Sequence, residues 1–443
     1  MRVLIIGGGG REHALAWKLK QERPTLELLA APGNPGIAEL AECVPIPASD
    51  LDALERLARD RGVDLTVVGP EAPLAAGIVD RFRTAGHPIF GPTKAAAEIE
   101  TSKAFAKRLM LEDGIPTARA EVHTDPASAR VAARRFGAPV VIKASGLASG
   151  KGVIVCDTLA GADRAIEDML EGNRFGAAGT EVLVEEFMEG EEVSVFAITD
   201  GSSFVVLPGL QDHKRLLDGD VGPNTGGMGA YVPVNVMLDA GQSASDGADR
   251  AFSGDISASA TIIAPTLRGL AARGRPFTGL LYAGLMMTRR GPKVVEFNCR
   301  FGDPETQALM PVLQLQPSLL DQMLAVGRGQ AIGQGTGASA TVNAACVTTV
   351  LAAANYPETP RSGDAITLPP PEQGVIVFHA GTARGADGTL VTAGGRVLAV
   401  SATGSTVEEA QQRSLAYARR IEFDGKQLRS DIGWREIARR TRG

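Results

Sequence analysis

Val3-Leu4-Ile5-Ile6-Gly7-Gly8-Gly9-Gly10-Arg11-Glu12-His13-Ala14 joins a short apolar run to a glycine loop and then to a helical pattern that continues to Lys20. An uninterrupted apolar run of this length reads as a strand covered on both faces, the usual state of strands in parallel sheets. A glycine loop opening a helix presents backbone N–H groups to an anion. The dinucleotide fingerprint G-x-G-x-x-G nevertheless fails, since counting from Gly7 or Gly8 puts Glu12 or His13 at the third glycine. A second predicted strand, 26–31, ends in Pro32-Gly33-Asn34-Pro35-Gly36 with no acidic residue at its tip for a ribose hydroxyl. A nicotinamide-dependent oxidoreductase is therefore disfavoured.

The alternation continues outward from that opening. The pattern predicts helices over 50–60 and 75–84 and strands over 63–68 and 88–90. Strands alternating with helices argue for an open parallel α/β sheet. Ligands of such sheets bind beyond the carboxyl ends of the strands. Four glycine- or proline-rich ends, 7–10, 32–36, 69–73 and 91–93, are expected to surround one monophosphate-sized pocket.

From Ser102, a predicted helix N-cap, the character changes. A helix to 114 precedes a strand over 118–122, a helix over 127–136 and a strand over 139–143. Ala144-Ser145-Gly146-Leu147-Ala148-Ser149-Gly150-Lys151-Gly152 then leads to another strand at 153–155. Only three residues separate Gly146 from Gly150, and a glycine follows Lys151, so this is not a Walker loop. It reads as a glycine-rich flap between two strands, able to fold over a triphosphate. Val182-Leu183-Val184-Glu185-Glu186-Phe187-Met188-Glu189-Gly190-Glu191-Glu192 follows as strand, short hinge and second strand. Its exposed backbone suits an adenine edge, and its carboxylates suit a ribose.

Farther on, Val294-Val295-Glu296-Phe297-Asn298-Cys299-Arg300-Phe301-Gly302-Asp303-Pro304-Glu305-Thr306-Gln307 reads as a strand entering a loop. Period-two alternation sets Glu296, Asn298 and Arg300 on one face and turns Val295, Phe297 and Cys299 into the core. Two oxygen donors and a guanidinium suit a hard cation and the phosphates it accompanies.

Glycine flap, E-E-F hinge and E-F-N strand, in that order, resemble the ATP-grasp superfamily. The phosphoribosylamine–glycine ligase family is resembled in detail through Gly8-Gly9-Gly10-Arg11-Glu12-His13-Ala14, Val68-Gly69-Pro70-Glu71-Ala72-Pro73-Leu74, Ser102-Lys103-Ala104-Phe105 and Gln211-Asp212-His213-Lys214-Arg215. Pro223-Asn224-Thr225-Gly226-Gly227-Met228-Gly229-Ala230-Tyr231, the 296–307 stretch and His379-Ala380-Gly381-Thr382 extend the match in the family's order. Where the family has Asp and a second Ala in its flap, this chain has Ser145 and Ser149; a looser but working flap is expected.

The resemblance implies a multidomain α/β and α+β protein. An N-terminal open parallel α/β (pre-ATP-grasp) substrate-binding domain would occupy 1–102, and an ATP-grasp domain 103–326, with a mobile lid subdomain at about 117–190. The Gly/Ala/Gln/Ser-rich 327–341 marks a boundary, and a small C-terminal α+β domain would fill 327–443. The implied activity is ATP-dependent ligation of glycine to 5-phosphoribosylamine through glycyl phosphate, giving glycinamide ribonucleotide, ADP and phosphate in de novo purine biosynthesis. The alternative is another ATP-grasp carboxylate–amine ligase. A non-catalytic ATP sensor would lack the metal face that Glu296, Asn298 and Arg300 supply.

Implied roles follow residue by residue. Lys103 and Lys143 would hold ATP phosphates, with Gly150 and Lys151 in the flap above them. Glu185, Phe187 and Met188 would line the adenine hinge, and Glu192 would hold the ribose. Glu296 and Asn298 would ligate Mg²⁺ or Mn²⁺, and Arg300, with Lys143, would act on the phosphoryl group in flight. Gly9, Gly10, Arg11, Asn34, Gly36 and Glu71 would surround the phosphoribosyl group. Asp212, Lys214, Arg215, Asp303, Glu305 and Thr306 are further expected substrate contacts.

Composition agrees. A net charge of −6 and the absence of a basic block give no support for a nucleic-acid partner. No apolar run approaches membrane-spanning length. Four dispersed cysteines without a C-x-x-C pair fit neither a zinc site nor a disulfide framework. A cytoplasmic monomer is expected. Downstream, 210–231 is predicted to be a binding loop and 238–256 a variable surface segment with a frayed helix. The pattern further predicts helices over 261–272 and 311–326, strands over 280–288, 293–297, 345–352 and 375–379, and a hairpin around Gly394-Gly395. Thr406 with Glu409 forms a capping box for a helix to 421. His379 is expected to be packed or near substrate rather than a metal ligand.

Overall fold

The computed structural model describes residues 1–146, 152–172, 179–236, 258–332 and 339–442. The Gly150–Lys151 part of the flap, Ser149, the 238–256 segment and part of 327–341 lie outside the described residues.

The opening apolar run is the central strand, Arg2–Gly7, of a five-stranded sheet. Glu27–Pro32 and Glu42–Cys43 lie on one side of it, and Leu65–Val68 and Ile89–Phe90 on the other, all parallel. Val3, Leu4, Ile5 and Ile6 are fully buried. Each such side chain stabilises the fold by about 1.5–3 kcal/mol relative to exposure. The sheet's carboxyl edge is closely packed. A Cβ on Gly8 would lie 2.4 Å from the Gly33 carbonyl oxygen, and one on Gly69 1.9 Å from Glu12. Three of the four glycine-rich ends thus converge. The fourth differs: Gly91 packs against Leu74 and Val79 and lies beneath Gly279, so it is closed off.

The helix predicted over 75–84 is two helices, Glu71–Ala76 and Ile78–Thr84. Gly77, at φ 90°, ends the first in a left-handed conformation that favours glycine. Ser102 caps Lys103–Glu112 as expected, its hydroxyl accepting from the Phe105 N–H at 3.1 Å.

Two antiparallel sheets follow. In one, the order is Ala120–His123, Val182–Glu186, Val140–Ala144, Val153–Cys156. Pro126–Phe136 and Leu159–Leu170 pack against it through alanines and Ile166. In the other, the order is Phe204–Val206, Glu191–Thr199, Gly279–Thr288, Gly291–Asn298. The register shifts between Gly284 and Leu285, which face Glu296 and Val294. Val295 is the extra residue of that bulge. It is therefore half-buried and faces the cleft, whereas alternation had placed it in the core; Val294 fills the core instead.

The predicted 210–231 loop contains four short strands, Gln211–Asp212, Arg215–Leu217, Val221–Asn224 and Gly229–Val232. The first and last join Ala345–Ala352, Arg396–Gly404 and Val375–His379 in one sheet. Residues far apart in sequence thus share a single layer. The helix predicted over 311–326 is a strand, Leu313–Gln316, then a helix, Leu319–Gly327, capped by Ser318. Pro317 cannot continue either pattern through the junction. The hairpin pairs Thr382–Arg384 with Leu390–Thr392, not the residues around Gly394-Gly395. Thr406 caps Val407–Arg420, but the Glu409 carboxylate receives the Ser405 N–H rather than completing the box on Thr406.

Candidate active site

The two antiparallel sheets face each other across a cleft lined by residues including Glu100, Lys103, Lys107, Lys143, Glu185, Val295, Glu296, Asn298 and Arg300. Lys143, in its strand, donates from Nζ to the Val295 carbonyl at 3.0 Å and pairs with Glu185 at 2.8 Å. Lys107 approaches the same carboxylate at 3.1 Å and also bonds Thr117 at 2.8 Å. Burial works against ionisation of Glu185, but Lys143 and Lys107 prevail and hold its carboxyl below the ordinary range. Two lysines on one buried carboxylate leave an excess positive charge at this end. Lys103, at the helix N-terminus, donates to the Gly146 carbonyl at 3.1 Å. Burial lowers its pKa, with Glu296 opposing and Lys143 reinforcing. The end as a whole suits polyphosphate.

Ser145 is buried there. Its hydroxyl accepts from the Ala104 N–H at 3.2 Å, supporting the helix that carries Lys103.

Glu296 stands among Lys214, Lys143, Lys103 and Arg300, whose charges overcome burial and keep its carboxyl ionised below its usual pKa. Phe301 packs edge-on to Phe196, with centroids 6.0 Å apart, anchoring the loop just after Arg300. The Arg300 guanidinium touches Glu71 at 3.4 Å, Glu100 at 3.3 Å and Asn298 at 3.3 Å. All three contacts are long, and its Nε is buried without a hydrogen-bond partner. A guanidinium in that state retains capacity for an anion.

A second group lies at the start of Glu191–Thr199. Glu192 pairs with Lys214. The Tyr282 hydroxyl donates to Glu305 at 2.6 Å and meets Ser194 Oγ at 2.7 Å. Burial, together with Glu305 and Glu192, pushes the Asp212 carboxyl up to about 7 against the pull of Lys214. This cluster of mixed charge is suited to a small zwitterion.

The third group occupies the edge of the parallel sheet. Glu12 accepts from the Gly9 N–H at 2.6 Å and from Arg11 at 2.6 Å. Asp303 pairs with Arg396 at 3.2 Å and accepts from Gln307 at 2.8 Å. Asn34 donates to the Gly8 and His379 carbonyls, each at 2.8 Å, and accepts from the Ile37 N–H. Its side chain is thus spent on holding the glycine loop to the C-terminal sheet. Gly36 lies against His13 and His379. Burial lowers His13 to about 3 and His379 to about 4, so both rings are neutral. His379 is packed, as expected, with Nδ1 3.1 Å from Thr382.

Other expected contacts are dispersed. Phe187 is exposed and Met188 half-buried on the hinge. Arg215 is exposed and bonds Gly222. Thr306 is fully buried, its hydroxyl donating to the Gly302 carbonyl. Gly10 lies tightly against Gln307. Sequence reasoning missed Lys107, Glu100 and Tyr282. Lys107 had a signal, one helical turn beyond Lys103 on the same face. Glu100 had none, although it accepts both the N–H and the thiol of Cys299, at 2.8 and 2.9 Å.

Comparison with known proteins adds a context. Three family models match: the phosphoribosylglycinamide synthetase N domain over 1–100, its ATP-grasp (A) domain over 101–306 and its C domain over 346–435. A phosphoribosylamine–glycine ligase of Xanthomonas campestris is 49% identical, covering 99% of both chains. That of Caulobacter vibrioides is 47% identical, with the same coverage. The crystal structure of the Thermotoga maritima phosphoribosylamine–glycine ligase superposes with TM-score 0.82 at 36% identity, covering 98% of this chain and 100% of that one. A biotin carboxylase domain from Hydrogenobacter thermophilus, solved with MgADP and bicarbonate, has TM-score 0.70 at 16% identity over 96% of this chain and 91% of that one, a likeness of fold alone.

Proposed function

The chain belongs to the phosphoribosylglycinamide synthetase family, and from that membership we propose how its residues divide the reaction. It is an ATP-dependent ligase joining glycine to 5-phosphoribosylamine in purine biosynthesis. The observation that carries the residue-level reading is the convergence of Lys103, Lys143, Glu296 and Arg300 on one cleft.

A glycine carboxylate oxygen attacks the γ-phosphorus of ATP, the bond to the β–γ bridging oxygen breaks, and ADP leaves. The phosphoribosylamine nitrogen then attacks the acyl carbon of glycyl phosphate. The carbon–oxygen bond to phosphate breaks, the nitrogen releases a proton, and glycinamide ribonucleotide forms. Lys103 and Lys143 hold the phosphates, and Arg300 stabilises charge on the transferring group. Phe187 and Met188 border the adenine, with the Glu185 carboxylate held by Lys143 and Lys107 on its phosphate side, and Glu192, paired with Lys214, stands between the ribose and the glycine group. Gly150 and Lys151 belong to the flap that shelters the acyl phosphate from water.

Glu296 and Asn298 are hard oxygen donors two residues apart on one strand, a set that fits Mg²⁺ or Mn²⁺ when phosphates complete the shell. Bound there, the ion would neutralise developing charge. Asp212, Lys214 and Glu305 receive the glycine zwitterion, with Arg215 and Thr306 supporting their loops. Gly9, Gly10, Arg11, Gly36, Glu71 and Asp303 border the phosphoribosyl group, and Asn34 sets the loop around it. Among the described residues no helix is long and apolar enough to cross a membrane. A monomer working in the cytoplasm completes the proposal.

The test is ADP release with glycine and phosphoribosylamine supplied singly and together. Turnover is expected only with both. Sustained ADP release without the amine, or none with both, overturns the reading.

A further inference from the structure

Between the two charged residues of the small-substrate group, the chain turns one side chain the other way. Asp212 and Lys214 face Glu192, Glu296 and Glu305. His213 points into the C-terminal segment, where its Nε2 accepts the Gly433 N–H at 3.0 Å. Gln211, two residues earlier on the same side, is held by the Glu192 carbonyl at 2.8 Å and by Tyr231. This is period-two geometry with both faces occupied.

The C-terminal segment is unusually committed to this loop. Arg429 is the largest fully buried side chain among the described residues, with no exposed surface. It bonds Asp431 at 2.7 and 2.8 Å, Asp220 at 2.8 Å and the Arg215 carbonyl at 3.1 Å. Asp220 is also bonded by Arg435 and by Trp434 Nε1 at 3.3 Å. Asp431 and Ser430 return to the backbone of Gly219 and the carboxylate of Asp218. Asp220 itself has φ 56°, a left-handed conformation rare for a residue with a side chain. These contacts hold in place a turn whose left-handed residue persists only where its surroundings over-determine it.

We propose that His213 is a positioning residue, through which the 429–435 segment, gripping Asp220, sets the register of Asp212 and Lys214 at the small-substrate end of the cleft. The inference rests on the reading that these two residues receive glycine. The His213 backbone is paired with Gly229 and Met228, and its neutral ring, accepting at Nε2, fixes the tilt of the 212–214 segment about that pairing, a tilt that would carry Asp212 and Lys214 off the substrate together. Small misplacements of such groups have large kinetic effects.

The experiment measures glycine KM, kcat and the Kd of MgADP in full-length variants. His213→Leu removes the acceptor while keeping an apolar volume; glycine KM is expected to rise about tenfold or more, with MgADP affinity within about twofold of the parent. His213→Gln, which restores an acceptor at similar reach, is expected to recover most of the loss. Asp220→Asn, on the half-exposed side of the same network, should raise glycine KM about threefold and carries the test should His213→Leu fail to fold. Glycine KM unchanged in the folded variants, or rising in step with MgADP Kd, overturns the proposal. Lys214→Met separates the two levels. If it leaves glycine KM unchanged, the underlying reading fails; if it raises KM while Asp220→Asn and His213→Leu do not, only the positioning role fails.

Discussion

The two charged groups proposed for phosphate and for the small substrate are both dense in charge, yet they are built differently. At the first, Lys103, Lys107 and Lys143 bond backbone carbonyls or one shared carboxylate, and all come from adjoining elements between 103 and 186. At the second, Asp212, Lys214, Glu192 and Glu305 answer chiefly to one another and come from three separated segments. The first end is a fixed cationic cradle that awaits anions. The second is a balanced set whose protonation a substrate can shift.

The largest expected effect lies where the two ends meet. Glu296→Ala should lower turnover by about a thousandfold or more with the fold intact, since both ends converge on that carboxylate. Metal-dependent ADP release near the parental rate in a folded Glu296→Ala protein would refute its role. A fixed cradle also predicts a stability effect. Lys107→Met leaves buried Glu185 with one cation and should cost about 3 kcal/mol, read as a lower denaturant midpoint. An unchanged midpoint would mean that Lys143 alone suffices and the cradle is less rigid than drawn.

The small-substrate end should instead respond to pH. In the proposed role Asp212 holds the glycine ammonium group only when ionised, and its ionised fraction falls as pH drops through about 7. Glycine KM should therefore climb by up to about tenfold per unit on the acid side, and Asp212→Asn should abolish that dependence. For the unliganded fold the sign is opposite. A carboxyl whose folded pKa is raised is destabilising when ionised, from its ordinary value upward and fully so above about 7. Asp212→Asn should accordingly raise Tm most above that pH. A flat glycine KM across pH 6 to 8 would remove the contrast between the ends. The smallest effect is expected at Ser145→Asp, because either side chain can accept the Ala104 N–H. Activity within a fewfold of the parent is expected, and a sharp loss with folding intact would show that the serine is an adaptation of the flap.

Legibility followed range. The parallel sheet was readable because a fully apolar run, a glycine loop and a periodic helix are local signals. The hinge and the Glu296–Arg300 face were readable for the same reason. Gly77 went unread because a left-handed glycine between two apolar stretches leaves their helical period nearly intact. The bulge at Val295 was invisible because its cause is the partner strand's register at Gly284 and Leu285.

By itself the sequence determined the element types of the N-terminal sheet and the lid, the ordered motifs and the residue chemistry of a nucleotide-dependent ligase, since these depend on neighbours a few positions away. Only the tertiary structure decided that Lys107 shares Glu185 with Lys143, that Asn34 is spent on the glycine loop, and that residues 429–435 bond the segment around His213 and Asp220. Those pairings span from tens to hundreds of residues. Nothing in a linear pattern specifies which buried charge will find which partner, because burial and opposing charge act only once distant strands share a sheet.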